Sequence, residues 1–220
     1  MKADLHIHTN YSGDNGQRLE EIFREAERIG LGAVGIADHN TIEGAMKAMK
    51  MAPEGLIVVP AIEITSSDGH ILAYNVERDV PRGRSVAETI DIIHSLGGIA
   101  VAAHPFRIWS GLGSKEVRRN KFDAVEVLNA RNTDGGNRKS RKLARSLDLP
   151  ITAGSDAHKP SDIGEAILLF LDDCQTVEDL IQAIMDKKVK AQGSGRSTKG
   201  TVSYGSKSIA KWLLRGMKRL

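Results

Sequence analysis

Residues 4–14 read Asp-Leu-His-Ile-His-Thr-Asn-Tyr-Ser-Gly-Asp, and this stretch decides the fold. A β-strand over residues 3–8 places alternate side chains on the same face. His6 and His8 therefore lie side by side, close enough for their imidazoles to bind one metal ion. A metal ion in a protein takes more than two ligands. The pair therefore predicts further ligands elsewhere in the chain.

Other metal-binding side chains stand at or near the ends of segments that are predicted to be strands. They are Asp38, His39, Glu63, His70, His104, Asp156 and His158. Glu63 is the most informative of them, because residues 56–65 are otherwise almost wholly apolar, as in a strand that is covered on both faces. A lone carboxylate in such a strand is costly to bury, so Glu63 needs a partner there.

Strand and helix segments alternate along the chain. Strands are predicted over residues 3–8, 32–37, 56–65, 70–76, 99–103, 123–128, 150–153 and 166–171, and helices over residues 17–30, 41–51, 86–96 and 137–147, with one more after a capping box of Thr176 and Asp179. About seven strands in βα units predict a barrel or a doubly wound sheet, and residues 66–69 predict a hairpin. Both architectures place the site at the carboxyl ends of the strands.

The composition excludes several classes of protein. With 220 residues, 40% of them apolar, the chain can form one sizeable core, and a single domain is expected. It contains no apolar run of the roughly 18 residues that a membrane helix needs and no secretory leader, so we expect a cytoplasmic protein that does not enter a membrane. Cys174 is the only cysteine, which excludes disulfides and thiolate metal sites. The low aromatic content of 4% argues against stacking platforms for single-stranded nucleic acid.

Charge is distributed unevenly along the chain. From Lys187 onward there are ten basic residues and no acidic ones, which leaves 21 basic and 28 acidic residues, about −7, in residues 1–186. We expect residues 1–190 to form the barrel and residues 191–220 to form a basic Gly/Ser-rich loop and an amphipathic helix. Docking of this tail on the acidic barrel is favoured, and nucleic acid, a partner or an anionic membrane surface are the alternatives.

A single histidine is more often an ordinary core or surface residue than a metal ligand. Here, however, six of the seven histidines stand at predicted strand ends, and only His94 falls in the middle of a predicted helix. Imidazole and carboxylate ligands without thiolate suit zinc, manganese or iron. Two or three ions that share Glu63 would use all the ligands. Clustered metals that share a hydroxide are suited to the hydrolysis of phosphate esters.

Five short motifs together resemble those of the PHP superfamily, named for DNA polymerase and histidinol phosphatase. They are Asp-Leu-His-Ile-His-Thr at 4–9, Ala-Asp-His-Asn at 37–40, Ile-Glu-Ile at 62–64, His104-Pro105 and Gly-Ser-Asp-Ala-His at 154–158. The resemblance extends over about residues 3–170 in order and spacing. It implies a distorted (β/α)7 TIM-like barrel, with a site of two or three metals at the carboxyl-terminal ends of the strands, and phosphoesterase activity.

The resemblance also implies how the ligands are divided. It places His6, His8, Glu63 and Asp156 around a first ion, Glu63, His70 and His104 around a second, and Asp14, His39 and His158 around a third. Many relatives have the acid of Asp14 one residue earlier, where this chain has Gly13. The candidate catalytic residues are Glu63, Asp156, His158 and Asp38. Asp38 either orients an imidazole or carries a proton, and the sequence leaves both roles open.

The predicted function is hydrolysis of a small phosphomonoester or nucleotide by a hydroxide that bridges the metals. An acidic barrel needs local cations to bind such a substrate, and the candidate substrate-binding residues are Arg107, Arg131, Lys159 and Asn129. One alternative is a nuclease that trims nucleic-acid ends while the basic tail holds the backbone. Another, from a different class, is a non-catalytic RNA-binding barrel in a larger complex, which would have lost metal ligands.

Overall fold

The computed structural model describes residues 1–14 and 16–196, and in that part of the chain nine strands and six α-helices largely alternate. The strands are β1 (Lys2–Ile7), β2 (Ala33–His39), β3 (Ile57–Thr65), β4 (His70–Tyr74), β5 (Ile99–Ala102), β6 (Ala124–Asn129), β7 (Ile151–Gly154), β8 (Ala166–Phe170) and β9 (Val189–Gly193). The helices are α1 (Leu19–Ile29), α2 (Glu43–Met51), α3 (Val86–Ser95), α4 (Gly113–Arg119), α5 (Asp134–Ser146) and α6 (Val177–Met185).

The nine strands form one sheet in the order β7-β6-β5-β4-β3-β2-β1-β8-β9. The end of β1 also pairs with the segment that follows β7. The backbone N–H of Asp156 donates to His6 O at 2.7 Å, and the N–H of His8 donates to Ala157 O at 3.0 Å. This seam brings β1 and β7 together, so β1–β7 form a nearly closed barrel. The predicted distorted (β/α)7 barrel is confirmed, with β8 and β9 added beside β1.

A buried carboxylate secures the same seam. Asp4 accepts backbone hydrogen bonds from His6 and Ser155 at Oδ1, at 3.3 and 2.9 Å, and one from Gly164 at Oδ2, at 2.9 Å. Gly154, the last residue of β7, permits the close approach, since a Cβ there would lie 2.3 Å from His6 Cβ. The sequence around the seam is therefore adapted to hold the end of β7 against β1.

The sheet is mixed, whereas the alternation of strands and helices predicts a parallel one. β4 is antiparallel to β3 and β5, and β8 is antiparallel to β1 and β9. The predicted hairpin accounts for β4, because a short turn joins only antiparallel strands. His70 opens β4, so the reversal places it at the barrel edge where the neighbouring parallel strands end.

Helix ends follow the predicted chemistry. Gly30 caps α1 in the left-handed conformation at φ 70°, which glycine adopts without steric strain. Capping boxes begin α3 at Ser85 and α6 at Thr176, the latter as predicted.

The sequence analysis contains no counterpart of α4 or β9. β9 spans the predicted domain boundary at residue 190, and the division into 1–190 and 191–220 stays a prediction.

Two clusters of apolar side chains stabilise the barrel. One joins the strands to α1, α2, α3 and α5, and the other joins strands to α6. Cys174 is buried in the second cluster as a free thiol. Among the described residues, no helix is long and apolar enough to cross a membrane. The predicted C-terminal helix falls in residues 197–220, outside the described part of the chain.

Candidate metal centre

The nine predicted metal ligands converge on one edge of the barrel, where the parallel strands β1, β2 and β5 end and the antiparallel β4 begins. We call the buried side chains His6, His8, Glu63 and His104 the inner group, and the partly exposed side chains Asp14, His39 and His158 the outer group. His70 and Asp156 lie beside these groups. The sequence prediction that separate strand ends meet at one place is thus matched by the geometry of the described residues.

Glu63 lies at the centre of the inner group. Its Oε1 is 2.7 Å from both His70 Nδ1 and His104 Nε2. Its Oε2 faces other imidazoles, at 3.4 Å from His6 Nε2, 3.3 Å from His8 Nε2 and 3.2 Å from His39 Nδ1. Each oxygen therefore faces a different set of nitrogens, which is the arrangement that a bridging carboxylate requires.

His6 and His8 point their Nε2 atoms at each other, 3.2 Å apart, as predicted from the period of the strand. The other nitrogen of His6, Nδ1, lies 2.8 Å from Glu126 Oε1. A proton on Nδ1 donates to that carboxylate and leaves the Nε2 lone pair directed into the cluster. This tautomer is the one that metal-binding histidines adopt.

Glu126 contacts two predicted metal ligands, and the sequence analysis does not include it among the candidate site residues. It is fully buried on β6 and uses Oε2 to accept hydrogen bonds from the backbone N–H of His104 at 2.8 Å and from Asn129 Nδ2 at 3.1 Å. One carboxylate thus orients His6 and fixes the backbone at His104. The signal that identified Glu63, an acid in an otherwise apolar strand, is present at Glu126 as well.

The outer group comes mainly from segments that follow strands. Asp14 Oδ2 is bonded to His158 Nε2 and lies 3.6 Å from His39 Nε2. The side chains of Asp14, His39 and His158 are 14%, 20% and 17% exposed, whereas those of the inner group are at most 1% exposed. With His8, these three residues present donor atoms within 4.8 Å of one another. Solvent can therefore reach the outer group directly.

Asp156 connects the metal ligands to two predicted substrate-binding arginines. Its carboxylate lies 3.4 Å from His8 Nε2, 2.5 Å from Arg107 Nη1 and 3.1 Å from Arg131 Nη1. Asn129 Nδ2 donates to the same carboxylate at 3.2 Å. Burial acts to raise the pKa of Asp156, but the two guanidinium groups outweigh it and hold that pKa well below its usual range. Arg107, Arg131 and Asn129 therefore border the cluster.

The backbone is strained at two predicted ligands. His104 and Asp156 have φ angles of 26° and 57°, in the left-handed region that non-glycine residues rarely adopt. Such strain persists only where surrounding contacts enforce it, and it concentrates at functional sites. At His104 the enforcing contact is the hydrogen bond to Glu126. At Asp156 the backbone is held by its pairing with β1.

Two other predicted site residues have different surroundings. Both carboxylate oxygens of Asp38 accept hydrogen bonds from Thr9, one from its N–H at 2.6 Å and one from its hydroxyl at 2.7 Å. A Cβ at Gly44 would lie 2.0 Å from Asp38 Oδ2, so only glycine leaves room for this pair. Lys159 is exposed and pairs with Asp162 at 3.1 Å. The structure thus places Asp38 against the segment after β1 and directs Lys159 to the surface.

The electrostatics of the cluster favour a cation. Burial acts to lower the pKa of His8, yet Asp156 and Glu63 raise it to about 9. Burial acts to raise the pKa of Glu63, yet the imidazoles of His70, His39 and His6 hold it well below its usual range. Buried carboxylates that draw protons onto histidines also bind metal ions in exchange for those protons. Nitrogen and oxygen donors without thiolate fit a divalent transition metal.

Comparison with known proteins identifies the family. The model of the PHP domain matches residues 4–94, and the model of the PHP-associated region matches residues 135–189. An uncharacterized protein of Methanocaldococcus jannaschii is 40% identical over 147 residues, which are 61% of this chain and 85% of that protein. The chain belongs to the PHP family. The PHP-domain match includes His6, His8, Asp14, His39, Glu63 and His70.

Two further similarities agree with this PHP assignment. The 5'-3' exoribonuclease Rnm of Escherichia coli is 33% identical over 87 residues, 36% of this chain and 29% of that enzyme. A two-domain protein of Bacteroides vulgatus, containing a predicted PHP-like metal-dependent phosphoesterase, superposes with a TM-score of 0.69 and 15% identity over 88% of this chain and 65% of that one. Membership of the PHP family confirms the prediction of a metal-dependent phosphoric ester hydrolase and implies divalent metals.

Proposed function

We propose that this PHP protein hydrolyses a phosphomonoester of a small molecule, with nucleotides included among its substrates. The observation that supports this most strongly is the position of Glu63 between two sets of imidazoles, bordered by Arg107 and Arg131. Carboxylate and imidazole donors would hold the metals, and the two guanidiniums would bind phosphate oxygens. The metal-binding side chains and the phosphate-binding arginines would thus lie next to each other, and both would contact Asp156.

The proposed cofactor is a set of two or three zinc, manganese or iron ions. His6, His8, Glu63 and Asp156 would hold the first, Glu63, His70 and His104 the second, and Asp14, His39 and His158 the third. Bound divalent ions lower the pKa of water and neutralise charge on phosphate oxygens. Glu63 would be shared between two ions, since its two oxygens face different nitrogens.

The protein's own groups would position and shield the substrate. Arg107 and Arg131 would each turn from Asp156 toward a bound phosphate, because guanidinium matches phosphate oxygens in bidentate geometry. Glu126 would keep His6 in its tautomer. Asp38 would act through Thr9 by holding the segment that leads to Asp14, and His158 would contribute from the outer group.

A nuclease that trims nucleic-acid ends is the second candidate, and two contacts favour it. The backbone N–H of Arg196 donates to Asn132 O at 2.7 Å, and the N–H of Gly195 donates to Asp134 Oδ1 at 2.9 Å. The start of the basic tail therefore lies next to Arg131 at the edge of the cluster. Similarity to the exoribonuclease Rnm supports the same candidate.

Metal analysis and a substrate panel test the proposal. The purified full chain should contain zinc, manganese or iron, and it should hydrolyse members of a panel of sugar phosphates, nucleotides and short oligonucleotides. Glu63→Gln should reduce hydrolysis to background because it removes the bridging charge. Glu20→Gln, on the exposed face of α1, is the matched control and should keep wild-type activity. A chain without bound metal that hydrolyses nothing on the panel when metals are supplied would refute the proposal.

The same panel separates the two candidates. A nuclease should prefer oligonucleotides, and its binding should fall steeply with salt because phosphates release counterions when basic residues neutralise them. A phosphatase of small molecules should show a weak dependence on salt and should release inorganic phosphate from mononucleotides or sugar phosphates.

A further inference from the structure

The segment between β5 and α4, residues 103–112, carries an unusual surface. It begins with the inner-group ligand His104 and includes Arg107 beside Asp156. The next two residues, Ile108 and Trp109, are 66% and 93% exposed. Among the large apolar side chains of the described residues, Trp109 is the most exposed. Burial of an indole lowers the free energy substantially, and an indole exposed to water lacks this stabilisation. The position is therefore a candidate binding surface.

Backbone hydrogen bonds on both sides of Trp109 in the sequence fix this segment to the metal centre. The N–H of Arg107 donates to His104 O at 2.8 Å, and the N–H of His70 donates to Ser110 O at 2.9 Å. Ile108 and Trp109 therefore lie between two residues, Arg107 and Ser110, that are bonded to the backbones of predicted ligands. Its Cα can be at most about 7.6 Å from that of Arg107, since consecutive Cα atoms are about 3.8 Å apart.

The backbone at Trp109 keeps the indole outside. Its φ of 80° lies in the left-handed region, which is unfavourable for a bulky aromatic residue. The bonds of Gly111 to Arg107 O and of Gly113 to Pro105 O, at 3.1 and 2.8 Å, enforce this conformation. A strained residue that displays an apolar ring beside a phosphate-binding arginine points to a ligand with both an anionic and an aromatic part.

We propose that Trp109 stacks on the nucleobase of a substrate whose phosphate lies at the metal centre. The inference rests on the proposed phosphatase function, because that function places the phosphate next to Arg107. A nucleotide carries a flat aromatic base one sugar away from its phosphate. Every base offers a π face to an indole, so stacking would select nucleotides over sugar phosphates without selecting one base.

Substrate discrimination is the first test. Trp109→Ala should lower kcat/KM for adenosine 5′-monophosphate roughly 5- to 100-fold, the range seen for loss of one base–aromatic stack. The same variant should hydrolyse ribose 5-phosphate within about twofold of wild type. Trp109→Phe should retain most of the nucleotide activity. Leu171→Ala, an exposed apolar residue next to Phe170 at the opposite end of the barrel, is the matched control. Equal losses for both substrates would overturn the inference.

Fluorescence gives a second readout that does not depend on turnover. The sequence has two tryptophans, so Trp212→Phe leaves Trp109 as the only one. In rapid mixing with the metal-loaded chain, adenosine 5′-monophosphate should quench Trp109 before turnover, and ribose 5-phosphate should not. Unchanged fluorescence in a chain that hydrolyses the nucleotide would refute stacking but keep the phosphatase. Quenching without hydrolysis would refute the phosphatase but keep base binding. A Trp109→Ala variant that changes only self-association would identify a protein contact and overturn the inference.

Discussion

The inner and outer groups of the metal centre use the same side-chain types but differ in support and in access to water. His6 and Glu63 stand on strands, His8 and His104 follow strand ends within two residues, and all four are buried. Asp14 and His158 stand on connecting segments, His39 is the last residue of β2, and solvent reaches all three. Ligands on strands are held more rigidly than ligands on loops. From this difference we expect the inner group to hold its ions more tightly than the outer group, whose ion should exchange more readily.

The ionisation of His8 and His39 differs in the same sense, whereas burial lowers the pKa of the inner-group residue His104. Neighbouring carboxylates raise the pKa of His8 to about 9, whereas burial lowers the pKa of His39 to about 3 against the opposing charge of Glu63. Near neutral pH, an ion must displace a proton from His8, but it meets a neutral His39. Filling of the inner group should therefore release protons, and filling of the outer group should release few.

Removal of an inner ligand should have the largest effect. His6→Asn takes away one proposed ligand of the first ion and the imidazole that faces Glu126 Oε1. We expect activity to fall more than about 100-fold and bound metal to fall by at least one equivalent per chain, as measured by elemental analysis. His94→Asn is the matched control, since His94 pairs with Asp123 at the surface. Equal metal content in the two variants would contradict the assignment of the inner group.

Loss of the carboxylate that orients His6 should have an intermediate effect. Glu126→Gln keeps the shape of the side chain, but it weakens the hydrogen bonds to His6 Nδ1 and to the backbone of His104. We expect a 10- to 100-fold loss in metal affinity or activity, the usual effect of removing an orienting partner. Titration of the metal-free chain with zinc measures the affinity. An affinity within twofold of wild type would show that Glu126 only fills space.

Loss of an outer ligand should have the smallest effect of the three. Asp14→Asn removes the carboxylate charge between His39 and His158, but the position is open to water, which can replace an oxygen ligand. We expect kcat/KM to fall about three- to tenfold and one equivalent of metal to be lost, with the other ions retained. Dialysis against a weak chelator before elemental analysis distinguishes the ions. If Asp14→Asn lost all of its metal, this result would contradict the proposal that the inner group holds its ions independently of the outer group.

Much of this site could be predicted because its residues break local rules. Glu63 stood out as an acid in an apolar strand, and His6 and His8 as a polar pair on one strand face. Glu126 breaks the same rule in an apolar strand, but none of the five motifs includes it. The partner of Asp38 could not be predicted, since Thr9 is 29 residues away and Gly44 makes room for the contact.

Other features depend on tertiary structure alone. β4 follows β3 without a helix, and the hairpin turn between them indicates its reversal. β8 follows β7 with only the short 3-10 helix Pro160–Asp162 between them, and the sequence analysis does not predict its reversal. Lys159 follows His158 in sequence, yet its side chain pairs with Asp162. An aromatic content of 4% argued against stacking, but composition cannot show that Trp109 is exposed beside the metal centre. For stacking, the position of this one tryptophan matters more than the number of aromatic residues in the chain.

The seam between β1 and β7 determines when the barrel and its set of predicted ligands can form. Asp4 and Ser155 are 151 residues apart, and Asp14 and His158 are 144 apart, so β1 can close the barrel only after β7 has been synthesised. Contacts of such long separation form late in folding. His6 and His8 therefore emerge long before Asp156 can join them. The predicted set of metal ligands can therefore be completed only after β7 has been synthesised and the seam has closed.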